Sequence, residues 1–183
     1  MMKRRQHKND SRIKTLQKQA QELIGQTLAA VWYFDGTNDQ GVPYFSIDSR
    51  DEIHELMQGA DLVTSTGLTF SFRWEAFGKA RNYELSFLIG STADTLATDH
   101  PRFNISDSAH WNNRIGKKIT TVVFSSPVGS NSSLCDCRIE FDGAPPAWIC
   151  ARCGSCEFKE NGDDTIVVFT EQEARRLGIK TDA

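Results

Sequence analysis

The apolar positions of this chain recur with two different periods. Ile13, Leu16, Ala20, Leu23 and Ile24 return at helical spacing, and basic residues and Gln fill the opposite side. Asp10 or Ser11 can cap the start of this helix and Gly25 can end it. So short a helix is marginal alone, so its apolar stripe is expected to pack on the rest of the chain. The composition then changes. Residues 27–34 are rich in Val, Trp, Tyr and Phe and read as a strand. Residues 42–47 read as a second strand, placed at an edge by Pro43. Asp48 or Ser49 looks like the cap of a short helix carrying Ile53, Leu56 and Met57, with Gly59 as its stop.

The clearest alternation follows. Leu68, Phe70, Phe72 and Trp74 alternate with Thr69, Ser71 and Arg73, and Tyr83, Leu85, Phe87 and Ile89 alternate with Glu84 and Ser86. Each pattern has one buried face, and the two predict an antiparallel pair joined across a loop around Gly78. Ser106 or Asp107 can cap a helical turn through Trp111 that Gly116 ends. Residues 119–124 and 134–141 are further strands. The turn at Asp142-Gly143 leads into residues 147–153, a hairpin complicated by Pro145-Pro146. A turn at Asn161-Gly162 leads into residues 165–169. Thr170 and Glu173 then form a capping box for a last helix that stops near Gly178.

These elements predict an α+β fold. An N-terminal helix packs on a strongly twisted, mostly antiparallel sheet of seven or eight strands, half-closed as a barrel, with a short C-terminal helix. Strands do not alternate with full-length helices, which excludes a doubly wound parallel sheet. The 183 residues suffice for one core, so residues 11–183 read as a single domain behind a basic, partly disordered tail over 1–10. Eleven Phe and four Trp need burial, which excludes disorder throughout.

The net charge of −3 conceals an asymmetry. Residues 1–20 hold seven Lys or Arg against one acid, which leaves fourteen bases, twenty-three acids and a formal charge of −9 for the remainder. The basic head suits nucleic acid or an anionic surface. The acidic body repels phosphates and favours encounter with a basic protein partner. No stretch approaches the roughly 20 apolar residues of a membrane span. The basic start at Lys3-Arg4-Arg5 is followed by polar residues rather than an apolar signal core, so the expected location is the cytoplasm.

Candidate chemistry centres on the five cysteines, Cys135, Cys137, Cys150, Cys153 and Cys156. An odd number in a chain of this size favours reduced thiols. Cys-x-x-Cys spacing also invites zinc, because tight turns bring two thiolates together on a tetrahedral ion. If the hairpin turn centres on Asp142-Gly143-Ala144, Cys137 lies near Cys150 and Cys135 near Cys153, so four thiols can cluster on adjacent strands. Parity opposes this: Cys135 and Cys137 share one face with Ile139 and Phe141, whereas Cys150 and Cys153 in a regular strand point to opposite faces. Buried structural thiols are thus the first reading and zinc the competing one.

The histidines at 7, 54, 100 and 110 form no H-E-x-x-H, and His110 beside Trp111 reads as a half-buried helix residue. Asp163-Asp164 and Asp51-Glu52 are explained by a turn and a helix start. No phosphate loop, dinucleotide fingerprint or G-x-S-x-G elbow occurs. Phe70, Phe72 and Trp74 could stack bases, but without interleaved Lys or Arg they read as core.

Three segments carry a resemblance: Trp111-Asn112-Asn113-Arg114-Ile115-Gly116-Lys117-Lys118-Ile119, Cys137-Arg138-Ile139-Glu140-Phe141-Asp142-Gly143 and Asn161-Gly162-Asp163-Asp164-Thr165-Ile166-Val167-Val168. Over about residues 65–170 the layout resembles small uncharacterised bacterial β-rich proteins, some of them immunity proteins of polymorphic toxin systems. The shared motifs are turns and strand patterns, and they carry over no functional residue. The anionic body and the absence of a chemical motif give a non-enzymatic protein-binding protein with an acidic surface, and the resemblance implies an immunity-type inhibitor. The alternatives are a zinc-binding accessory protein built on the cysteines, and an enzyme whose site is assembled from scattered residues.

Overall fold

A computed structural model describes residues 13–45, 52–77, 82–90, 101–125, 136–151, 165–179 and 181. The predicted first helix is present as α1 (13–20), which loosens into turns that end at Gly25. Ten strands and two further short helices follow among the described residues. The strands are β1 (Leu28–Phe34), β2 (Ile53–Leu56), β3 (Gly59–Thr64), β4 (Thr69–Phe77), β5 (Asn82–Ile89), β6 (Arg102–Asn104), β7 (Ile119–Ser125), β8 (Asp136–Phe141), β9 (Ala144–Ala151) and β10 (Thr165–Val168). The helices are α2 (Ala109–Asn112) and α3 (Glu171–Arg176).

These strands form two five-stranded sheets in place of the single half-closed sheet expected. The first runs β5-β4-β3-β1-β6 and the second β2-β10-β9-β8-β7, and all neighbouring strands are antiparallel. The predicted β4–β5 pair is present, with Phe72 opposite Phe87. Their inward Phe70, Phe72, Leu85 and Phe87 are buried together with Ile139, Ile149 and Val167 of the second sheet, and one core fills the space between the sheets. Phe70 and Phe72 are therefore core residues. A smaller cluster lies on the far side of the second sheet, where Ala174 and Ile179, on and just after α3, cover Trp148, Cys150, Ile166 and Val168.

Three expectations are corrected. The short helix expected to carry Ile53, Leu56 and Met57 is strand β2, whose His54 and Leu56 face the core. Its polar-looking His54 is buried and paired in register with Val167, so the true period is two. Gly59 is no stop; it opens β3. A Cβ there would meet the Phe72 carbonyl oxygen at 2.1 Å, so only glycine lets β3 approach β4 this closely. The expected strand over 42–47 is absent from its described part, 42–45, where only an isolated bridge joins Thr37 and Pro43.

The outer edge of β7 is closed at Ile119 by the backbone of Gly25 and Gln26, and beyond it by a side chain. Gln17 of α1 donates from Nε2 to the Val122 carbonyl at 2.5 Å, and its Oε1 accepts from the Phe124 amide at 3.0 Å. The two bonds reproduce what a neighbouring strand supplies. Leu16 and Ala20 of α1 and Leu23 just beyond it meanwhile bury their side chains in the main core. None of the described helices is long and apolar enough to cross a membrane.

Candidate functional site

A buried polar chain links β1, β2 and α2. Tyr33 faces inward from β1, His54 from β2 and Trp111 from α2, and all three are fully buried. Trp111 Nε1 donates to the Tyr33 hydroxyl at 2.7 Å, and that hydroxyl lies 2.8 Å from His54 Nδ1. An indole can only donate, so the Tyr33 oxygen accepts from Trp111 and its own hydrogen goes to Nδ1. The imidazole is thereby held neutral with its proton on Nε2. That nitrogen has no hydrogen-bond partner, and the ring is bounded edge to face by Phe169 at 4.7 Å and His110 at 5.9 Å. Burial, with His110 as the second cause, lowers the His54 imidazole from 6.5 to about 4. Burial raises the Tyr33 phenol far above its ordinary value, against the opposing effects of Trp111 and Arg114.

Arg114 fixes α2 to the second sheet. Its guanidinium is buried and donates to three carbonyls: Pro145 at 3.0 Å, Pro146 at 2.7 Å, and His110. It lies over the Phe169 ring at 5.1 Å, and His110 stacks on the same ring at 4.5 Å. Burial lowers Arg114 to about 10, partly opposed by Tyr33, so it stays cationic at neutral pH. Pro145 and Pro146 lie in strand β9 near its start; neither has an amide to donate, and each offers its carbonyl to Arg114.

Above this chain lies an exposed apolar surface. After β1, residues 36–44 form a tight loop around Asn38, whose Oδ1 accepts from the Gln40 amide at 2.9 Å and the Val42 amide at 3.0 Å. The Asn38 amide donates to the Val42 carbonyl at 2.9 Å. A loop tied this way has its shape set in advance. It presents Val42 and Tyr44, 52% and 60% exposed, beside Met57, 43% exposed, at the β2–β3 crossover. Gly36 lies between them: a Cβ there would meet Tyr44 Cε2 at 2.9 Å and Met57 Sδ at 3.5 Å. Trp74 Nε1 donates to the Met57 carbonyl at 2.5 Å and holds the crossover in place. Asp39 and Glu55, both exposed, are carried on the loop and on β2.

Of the five cysteines only Cys137 and Cys150 are among the described residues, and these two do not converge. Cys137 pairs in register with Ile149, and Cys150 with Asp136. This one-residue offset, together with the irregularity between Ile139 and Phe141, puts the two thiols on opposite faces of the sheet. Cys137 enters the main core, Cys150 lies in the cluster covered by α3, and both are buried and outside any disulfide. Cys135, Cys153 and Cys156 lie outside the described residues, as do His7, His100, Asp51, Asp163 and Asp164. Among the described residues no group of three or more His, Cys, Asp or Glu is placed to hold a metal ion. His110 is partly buried on α2, as its sequence context suggests, and Glu52 accepts from the Thr170 hydroxyl at 2.8 Å.

A buried acid serves the outer face of the first sheet. Asp61 accepts from the Ser71 hydroxyl at 2.6 Å and pairs with Arg102 at 3.3 Å, and Arg102 in turn lies 4.5 Å over the Trp32 ring. This group braces β6, β1, β3 and β4 across their shared face.

Sequence reasoning missed His54, Tyr33 and the 36–44 loop. The available signals were Tyr33 at an inward position of the first strand and the Asn38–Gly41 turn residues. Comparison with family models, with curated proteins and with solved structures finds no match.

Proposed function

We propose that this chain is a protein-binding protein that seats a basic partner on loop 36–44 and Met57. The observation that carries this reading is the exposed Val42–Tyr44–Met57 surface held on a loop whose shape is set by Asn38. An aromatic and a methionine at the centre of a contact, with polar residues around them, match the composition of binding surfaces. Because the loop is braced beforehand, docking on it costs little ordering entropy. The charge of −9 carried beyond residue 20 supports a cationic partner, steered in and oriented by long-range attraction. In its finer form the proposal is an immunity-type inhibitor whose acidic surface covers the basic site of a toxin.

The test is affinity capture with the tagged full chain at low salt, read by mass spectrometry, for wild type and for Tyr44→Ala. The expected result is one stoichiometric basic partner, lost at high salt and at least tenfold depleted with Tyr44→Ala. Gly36→Ala, which displaces the Tyr44 ring without removing it, should weaken capture in the same direction. Capture that is the same for all three chains would overturn the proposal.

A further inference from the structure

Both halves of the exposed surface stand on the buried polar chain. Phe45 directly follows Tyr44, and its ring meets Tyr33 edge to face at 5.5 Å and Phe103 at 5.3 Å. On the other side β2 carries His54 and ends at Leu56, beside Met57. Tyr33 and His54, joined by their 2.8 Å contact, thus each support one half of the surface.

The direction of that hydrogen bond matters. With Trp111 donating to the Tyr33 oxygen, the Tyr33 hydrogen needs Nδ1 as its acceptor. A proton taken from solvent onto Nδ1 makes that nitrogen a donor. The Tyr33 oxygen then faces two donors, and its own hydrogen is left without an acceptor in a core closed to water. The new cation is badly placed as well. Among the described residues, the titratable or charged groups facing His54 are Tyr33 from β1, His110 from α2, and Arg114 behind the shared Phe169 ring. Neighbouring β10 offers only Val167 in register, with Phe169 beyond its end. None of these is a carboxylate.

We infer that His54 is a proton-operated latch: protonation at Nδ1 breaks the Trp111–Tyr33–His54 chain, loosens loop 36–44 and Met57, and releases the basic partner in mildly acidic surroundings. This rests on the binding surface proposed above. The strong preference of the buried imidazole for its neutral form is in keeping with it, because an open state with His54 in water would take up the proton much more readily. The added positive charge also weakens the attraction for a cationic partner.

Hydrogen–deuterium exchange of the full chain tests the latch without any partner. Wild type and His54→Asn, whose Oδ1 stands in for Nδ1 as an acceptor, are compared at pH 7 and pH 5 after correction for intrinsic exchange rates. In wild type, peptides covering 33–45 and 109–114 should exchange about tenfold faster or more at pH 5, while β4 and β5 stay protected. In His54→Asn that acceleration should vanish. Equal protection of wild type at the two pH values overturns the latch, and so does the same acid opening in His54→Asn. Should His54→Asn fail to fold, an NMR titration of the His54 ring in wild type decides. Its midpoint must coincide with the opening of the loop, and separate midpoints overturn the latch. Failure of the surface itself is distinguishable, because it shows at pH 7 as identical capture by wild type and Tyr44→Ala.

Discussion

His54 and Arg114 are two nitrogen bases in one core, and they are accommodated in opposite ways. Arg114 keeps its charge because three carbonyls converge on its fork, whereas His54 gives up its charge because only a hydroxyl meets it. The difference sets how stability responds to acid. The unfolded chain takes up a proton on His54 as pH falls through 6.5, and the folded chain resists until about 4. Stability is therefore fully held above pH 6.5 and declines toward pH 4, by about 3 kcal/mol if His54 alone is counted. Urea unfolding across this range should show the decline, and His54→Asn should flatten it. Arg114→Ala strands three carbonyls and should cost about 3 kcal/mol or more in the same assay. Arg114→Lys should recover only part of that, since an ammonium lacks the planar fork. In the sequence both residues read as ordinary polar positions. His110 could be placed by its neighbour Trp111, but nothing local marks His54 as buried, because its partners Tyr33 and Trp111 are distant in the chain.

At the scale of elements, that same histidine explains the largest misreading. Counted as polar, His54 leaves Ile53, Leu56 and Met57 as a helical triplet; counted as core, it gives the alternation of β2. β3 was hidden for a related reason, since its Asp61 is buried through Ser71 and Arg102 and its first residue is a glycine that usually ends elements. Gly59→Ala forces a methyl group against the Phe72 carbonyl oxygen and should cost about 2 kcal/mol, measured by thermal or urea unfolding. Strands with unbroken alternation were legible: β4 and β5 lie where their patterns put them, and β7 does so despite the break in its register after Ile119. So was α3, where Thr170 caps the Glu173 amide as the capping box requires and Gly178 takes a positive φ of 71°. Parity made the core position of Cys137, beside Ile139 and Phe141, legible, but not the opposite facing of Cys150, which depends on a one-residue register that turn residues alone do not fix.

For the molecule as a whole, composition and pattern convey an antiparallel, sheet-rich fold with few helices, but not its division into two sheets. The chain passes between the sheets from β1 to β2, from β2 to β3 and from β6 to β7, and two of these passages involve β2, whose pattern was disguised. The candidate surface was likewise invisible in advance, since exposure of Val42, Tyr44 and Met57 is a property of how loop and crossover meet around Gly36. Two stacked sheets leave open edges, and at β7 the amide of Gln17 stands where another strand would otherwise add. A free β7 would offer its amide and carbonyl row to the edge of the next molecule, and a head-to-tail contact of that kind repeats without closing. Gln17 occupies the hydrogen-bonding positions of Val122 and Phe124 that such a contact would need. Gln17→Ala should leave the monomer folded yet turn it toward concentration-dependent assembly, visible by light scattering, while wild type at the same concentration stays dispersed. One amide side chain thus bears on the colloidal behaviour of the entire protein.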